Sequence, residues 1–371
     1  MRRRLIRIAV ILLVFPPVLA GVAGWLVAPG FLHPQRRELT PDLIREADAS
    51  FATSSSHRED FDVRAPDGAM LHGWKVRPPL PNGDWVLLFH GVADNRVGVI
   101  GQSEFLLKAG YSVVMMDARA HGASEGSMAT YGWLERNDTR AVIDALLRPA
   151  PHKISIQMSP PYIPPGFVKS PVQLGPARIA PAPAPLPPPP PHIFALGESM
   201  GAGIALQSAA ADARIEAVVA EAAFANMREA SYDYAGLRKS PWLGKTLFAP
   251  FSWTLLYRGG KIGGIDISQI SPEKAVASRN FPVLLICDEK DEALPCRHTE
   301  RIYAAARGPK QMWEVPGAFH TAASGFEPVE FRRRVLAFYA SIATQNPPPS
   351  PATTGAADAG ASGGTGNVSA N

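Results

Sequence analysis

Short apolar runs recur along this chain, each closed by glycine or a polar residue: Trp85 to Phe89, Tyr111 to Met116, Ile193 to Leu196, Ile215 to Ala220 and Pro282 to Ile286. Runs without polar alternation suit strands that are buried on both faces of a sheet. Helical patterns separate them, at Glu104 to Ala109, Glu135 to Leu147, Gly201 to Ala211 and His298 to Ala305, with Val329 to Ala343 last. Strand and helix in alternation build a mostly parallel sheet with helices on both faces, because parallel neighbours need long crossovers. Ahead of them, Phe61 to Arg64 and Met70 to Val76 flank the turn signal Pro66-Asp67-Gly68 and read as a hairpin. Gln311 to Val315 supplies a shorter last strand. The expectation is an α/β fold on a twisted sheet of about eight strands.

Three stretches leave this rhythm. Residues 149–191 are proline-rich and end in the run Pro187 to Pro191, which can neither pair as a central strand nor continue a helix. This segment precedes the Ile193 strand and so enters the sheet at the edge away from the strands' carboxyl ends. It reads as a tolerated insertion, with a partner-binding segment as the alternative. Residues 225–279 are too long for a simple crossover, and their aromatics, among them Tyr234, Phe251 and Trp253, suggest a small helical cap. Those rings either line a pocket, form the cap's own core, or touch a membrane surface. The tail 346–371 is rich in Ala, Gly, Ser and Pro with hardly any charge, the composition of a disordered segment.

Residues 1–30 carry a different signal. Arg2, Arg3, Arg4 and Arg7 precede or open an apolar run from Ile8 to Ala28, and about 20 apolar residues are enough to cross a bilayer core. The basic flank stays cytoplasmic by the positive-inside rule, which exports the rest of the chain to the periplasm or the cell exterior. An uncleaved signal anchor fits the length. A cleaved signal peptide, giving a secreted protein, fits the small residues near Val18-Leu19-Ala20 or Gly21-Val22-Ala23. Residues 31–58 then form a linker with a short helix from Pro41 to Ala49, and 59–345 the α/β domain. A net charge of +4 over 371 residues, part of it in the N-terminal arginines, gives no reason to expect nucleic acid.

Chemistry concentrates where the apolar runs end. Gly197-Glu198-Ser199-Met200-Gly201 follows the Ile193 strand and opens a helix of small residues. A serine on such a sharp strand-to-helix turn has its hydroxyl exposed, and the glycines relieve the crowding. Ser199 is therefore the candidate nucleophile, and the backbone N–H of Met200 a candidate oxyanion donor. His90-Gly91-Val92 closes the Trp85 strand and offers the N–H of Val92 as the second donor, with His90 as scaffold and not as base. The polar loop Asp117 to Gly126 reads as structural. A base and an orienting acid come later: Asp291, with Asp288 as second choice, follows the Pro282 strand, and His320 lies between the last strand and the final helix. Ser, Asp, His is the chain order of one known triad architecture. No Cys/His cluster has ligand spacing, so neither metal nor organic cofactor is expected.

From about Phe61 to Ala343 these motifs resemble the α/β-hydrolases. The likeness is strongest to BEM46-like (ABHD13/ABHD17-type) hydrolases and to the catalytic domains of prolyl-oligopeptidase-like (S9) enzymes. It rests on Phe89-His90-Gly91, Asp117 to Gly126, the Ser199 turn, the Asp291 loop and Gly317 to His320. The resemblance implies a triad of Ser199, Asp291 and His320 with Val92 and Met200 as oxyanion donors. The resemblance leaves the substrate open, and the leading reading is cleavage of an ester or thioester of a small or lipidic acyl group. An S9-like peptidase and an inactive scaffold that binds a partner are the alternatives. Relatives often carry glycine where this chain has Asp288, which leaves the identity of the acid open between two aspartates. Cys287 and Cys296 bracket that loop. In an exported protein they form either a disulfide or two separate thiols, and spacing alone does not choose.

Overall fold

The computed structural model describes residues 2–148, 190–237 and 239–345. The readings made above for 149–191 and 346–371 lie outside the described residues, apart from Pro190 and Pro191.

Helix α1 (Arg2–Leu32) and helix α2 (Pro41–Ala52) precede the first strand. Thr40 caps α2, accepting a hydrogen bond from the Leu43 N–H at 3.3 Å, which satisfies one of the donors a helix start leaves free. The strands are β1 (His57–Arg64), β2 (Met70–Arg77), β3 (Trp85–Phe89), β4 (Ser112–Met116), β5 (Ile193–Glu198), β6 (Ile215–Glu221), β7 (Val283–Asp288) and β8 (Lys310–Val315). They form one eight-stranded sheet in the order β1-β2-β4-β3-β5-β6-β7-β8. The β1-β2 and β2-β4 pairs are antiparallel and the rest parallel. Strand β1 begins four residues before its apolar run, at His57 and not at Phe61. As an edge strand it buries only Phe61 and Val63, so its polar half carries no apolar signal.

Helices α3 (Ile100–Lys108), α4 (Glu135–Leu147) and α5 (Met200–Ala211) are crossovers. Between β6 and β7 come α6 (Met227–Tyr232), α7 (Pro241–Lys245), α8 (Ala249–Gly263) and α9 (Pro272–Ser278). The chain continues through α10 (Arg297–Ala305), α11 (Ala323–Phe326) and α12 (Pro328–Gln345). The period of two along β3 splits the core into two layers. Val86 and Leu88 pack with Phe51, Phe105, Phe331 and Tyr339, from α2, α3 and α12. Trp85 and Leu87 pack with Ile143, Leu206 and Ile302, from α4, α5 and α10.

The crossover through α3 runs from β3 to β4 on one face, and that through α4 returns from β4 to β5 on the other. Strand order therefore reverses at β3 and β5, and the crevice beyond the carboxyl ends of such strands is where open α/β sheets hold ligands. Phe89 pairs with Gly197 in the β3-β5 register. The His90–Val92 turn and the Ser199 turn accordingly leave the sheet side by side.

Candidate active site

Ser199 sits at φ 52°, ψ −118°, a region that side chains with a Cβ occupy only under strain. Its neighbours explain how the turn closes. A Cβ on Gly201 would lie 2.2 Å from the Phe89 carbonyl oxygen, and one on Gly197 would lie 2.5 Å from the backbone of Gly201. Both positions are thus held to glycine by backbone contact. The Ser199 N–H donates to Glu221 O at 2.9 Å, which ties the turn to the end of β6.

The four strand ends β3, β5, β7 and β8 bring the expected residues to one edge. His320 Nε2 lies 2.9 Å from Ser199 Oγ, and its Nδ1 lies 2.6 Å from Asp291 Oδ2. Asp291 Oδ1 accepts from the N–H groups of Ala293 and Leu294 at 2.7 and 2.8 Å. Both of its oxygens are therefore engaged and its orientation is set. With Nδ1–H donating to the carboxylate, Nε2 is left as acceptor for the serine hydroxyl. Asp288 is placed differently: its Oδ2 accepts from the Thr321 N–H at 2.9 Å and so holds the loop that bears His320. Cys287 and Cys296 are joined in a disulfide with Cα atoms 5.3 Å apart, closing the Asp291 loop at its base.

Other histidines are engaged elsewhere. His90 Nε2 accepts from the Ala118 N–H at 3.0 Å, so its Nδ1 carries the proton and donates to Gly91 O at 2.7 Å. It thereby braces the turn before Val92. His298 Nδ1 accepts from the Ala225 N–H at 3.2 Å, and its Nε2 meets Asp233 Oδ2 at 2.6 Å. The loop from Asp117 is knitted as a structural element. Arg96 donates to both Asp117 oxygens, at 3.1 Å from Nε and 2.7 Å from Nη2, and the Ala123 N–H donates to Oδ2 at 2.7 Å. Burial opposes ionisation of Asp117, but the guanidinium and amide donors outweigh it and hold the carboxyl below its usual range.

Ser199, Val92 and Met200 line one cavity of about 570 Å³, within the range of small-molecule sites, about 300–1,000 Å³. Its other walls include Tyr234 and Phe251 from the β6–β7 segment, and Leu26, Val27, Gly30 and Phe31 from α1. The aromatics of that segment divide: Tyr232 is buried, Tyr234 and Phe251 reach the cavity, and Trp242, Trp253 and Tyr257 are exposed. Tyr234 lines the cavity together with Ser199 and is itself largely exposed. Sequence reading did not single out α1 as a pocket wall, and no local pattern reports it.

A second feature escaped the sequence. Glu198, Glu221 and Asp288 form a buried acidic group close to Asp291. Burial is the main cause of a rise in each pKa: Glu198 is pushed up to about 8, Asp288 to about 7, and Glu221 well above the carboxyl range, with neighbouring carboxylates adding to the rise. The visible signal was an acid ending an otherwise apolar strand, as in Val283 to Asp288. These groups keep protons near neutrality that the unfolded chain, with carboxyls at about 4, releases. Folding then takes up protons, so stability is full below the unfolded value and falls as pH rises through the folded ones. His90 and His121, lowered by burial from 6.5, contribute the opposite slope, but only below about pH 6.5. We therefore expect the urea midpoint to fall from about pH 6.5 to about pH 8, and Glu198→Gln to flatten that fall. An unchanged slope in the variant would show that Glu198 is ionised in the folded protein.

Among solved structures, the Pyrococcus furiosus esterase Pf2001 superposes with a TM-score of 0.59 at 21% identity, over 84% of this chain and 99% of that one. The likeness shows a common α/β-hydrolase fold. Two uncharacterized proteins are similar in sequence: YqkD of Bacillus subtilis, 25% identical over 75% of this chain and 78% of its own length, and Rv2307c of Mycobacterium tuberculosis, 28% identical over 82% and 87%. Residues 44–246 match the model of the X-Pro dipeptidyl-peptidase (S15 family). That match takes in more than half of the 371 residues, the Ser199 turn included, and the chain belongs to the S15 family.

Proposed function

We propose that this protein is a serine hydrolase that cleaves carboxylic ester or thioester bonds, with Ser199 as nucleophile, His320 as base and Asp291 as orienting acid. The observation that carries the reading is the unbroken relay from Ser199 Oγ through His320 to Asp291, at 2.9 and 2.6 Å, opening on an apolar cavity. In the first step Ser199 Oγ attacks the acyl carbon while His320 Nε2 takes the hydroxyl proton. The N–H groups of Val92 and Met200 face the oxygen that gains charge. His320 then gives its proton to the departing alcohol or thiol, leaving an acyl-enzyme. Water attacks that ester, His320 takes the water's proton, and collapse of the intermediate releases the carboxylic acid and returns the proton to Ser199.

The family description favours a second reading, a peptidase that removes X-Pro dipeptides. Such an enzyme must hold the free α-ammonium of its substrate, which calls for carboxylates in the pocket. Among the described residues lining this cavity there is no Asp or Glu, and this favours an uncharged acyl group. The structural similarity to the Pf2001 esterase supports the same reading. An inactive scaffold offers no account of a hydroxyl, an imidazole and a carboxylate held in hydrogen-bond sequence. We further read α1 as an anchor with its arginines on the cytoplasmic side, which places the catalytic unit in the periplasm or outside the cell.

The test is a panel of p-nitrophenyl esters of rising chain length, run against Ala-Pro-p-nitroanilide on the full chain in detergent. Ester turnover with an optimum at medium or long chains is expected. Faster cleavage of the anilide would transfer the function to the peptidase reading.

A further inference from the structure

We infer that helix α1 is itself a wall of the acyl pocket, and that the substrate is a long-chain acyl ester of the bilayer, drawn along α1 to Ser199. The inference rests on the reading of Ser199 as nucleophile and names the substrate class for it.

Leu26, Val27, Gly30 and Phe31 of α1 share the cavity with Ser199 and Met200. They reach it because α1 docks on α8. Thr254 Oγ1 donates to Gly21 O at 2.7 Å, and Arg258 donates to Trp25 O with its guanidinium 4.8 Å from the Trp25 ring centre. A Cβ on Gly24 would lie 2.1 Å from Phe251 O, so the two helices meet backbone to backbone, as small residues allow between membrane helices. At the far end the Tyr131 hydroxyl donates to Phe31 O at 2.8 Å, and the two rings stack with centres 4.7 Å apart. The Ala129 N–H donates to Leu32 O at 2.8 Å. The last two turns of α1 are thereby joined to the catalytic unit beside the Ser199 turn.

Enough helix remains to cross a membrane. From Arg4 to Trp25 the rise is about 32 Å at about 1.5 Å per residue, against a hydrocarbon core of about 30 Å. Exposed side chains along this stretch include Val10, Ile11, Leu13, Phe15, Val18 and Val22, an apolar face larger than soluble surfaces carry. Arginines mark one end. The other has Trp25 with the exposed Trp253 and Tyr257 of α8 and the cations Arg258 and Lys261, the composition of a membrane–water interface. The cavity therefore lies at the level where α1 leaves the hydrocarbon. Leu26 and Val27 are 67% and 48% exposed although both line the cavity, so this wall has one side toward lipid and one toward Ser199. An acyl chain passing over it reaches the nucleophile without crossing water. Hydrolysis balances as above: ester and water give carboxylic acid and alcohol.

The experiment reconstitutes the full chain in vesicles of ether-linked phosphatidylcholine, which offer no ester of their own. A diacylglycerol with a fluorescent acyl chain is placed in the same vesicles, or in protein-free vesicles mixed with them. Release at least about tenfold faster from the shared vesicles is expected. Leu26→Trp and Val27→Trp, which fill the wall, are expected to lower the palmitoyl-to-butyryl ratio of kcat/KM on p-nitrophenyl esters by about tenfold, the effect of losing contact with about two methylenes. Equal release from both vesicle populations, an unchanged ratio in both variants, or no release while Ser199 still takes a fluorophosphonate label would overturn the inference and leave the nucleophile reading intact. Loss of labelling in the wild type would remove that reading, and this inference with it.

Discussion

Ser199→Ala is expected to lower kcat on carboxylic esters by a factor on the order of 10⁶, leaving the residue of catalysis that oxyanion donors and binding supply by themselves. The substitution removes one oxygen and little else. Alanine meets the same strain at φ 52° as serine, and the Ser199 N–H bond to Glu221 O involves backbone only, so the melting temperature should barely move. His320→Ala should cost about as much, and the double variant hardly more than either alone, because groups that act as one relay lose their effect together. Loss of the fluorophosphonate label in Ser199→Ala, with unchanged folding, is the check. Esterase activity that survives in a folded Ser199→Ala would place the nucleophile elsewhere.

Asp291→Asn is expected to lower kcat by about 10⁴, the size of effect that follows when an imidazole is held in its wrong tautomer. The structure forces that outcome. Asp291 Oδ1 accepts from the Ala293 and Leu294 N–H groups at 2.7 and 2.8 Å, so the asparagine must keep its carbonyl oxygen there and turn its NH₂ toward His320. Two donors then face each other, Nδ1 gives up its proton, and Nε2 becomes a donor that cannot take the Ser199 hydroxyl proton. Asp288→Asn should lose far less, because Asp288 holds the Thr321 N–H at 2.9 Å and does not bond the imidazole. Rates of the two variants on one ester separate the roles. A larger loss at Asp288 would make it the orienting acid.

The distinction between those aspartates was not legible in the chain, where both follow the same strand within four residues. It depends on register: Asp288 pairs with Val315 across β7 and β8, which leaves Asp288 beneath the His320 loop and carries Asp291 round to face the ring. The disulfide was open for the same reason, since nine residues of separation say nothing of the 5.3 Å between its Cα atoms.

The Ser199 turn, by contrast, was written locally. An apolar strand, a glycine two positions to either side of the serine and a helix of small residues are properties of adjacent positions, and so was the order of strands and helices that built the sheet. Apolar content likewise marked α1 as a helix long enough to span a bilayer. What only the tertiary structure decided was which distant segments share a space. Glu198, Glu221 and Asp288 were packed together because parallel strands end at one edge, and α1 was laid against α8 so that residues more than 160 positions before Ser199 line its cavity. Patterns of period 2 and 3.6 record which face of an element is buried, because burial acts on each residue through its own surface. They do not record against which partner, because packing is a property of two surfaces brought together by the whole fold.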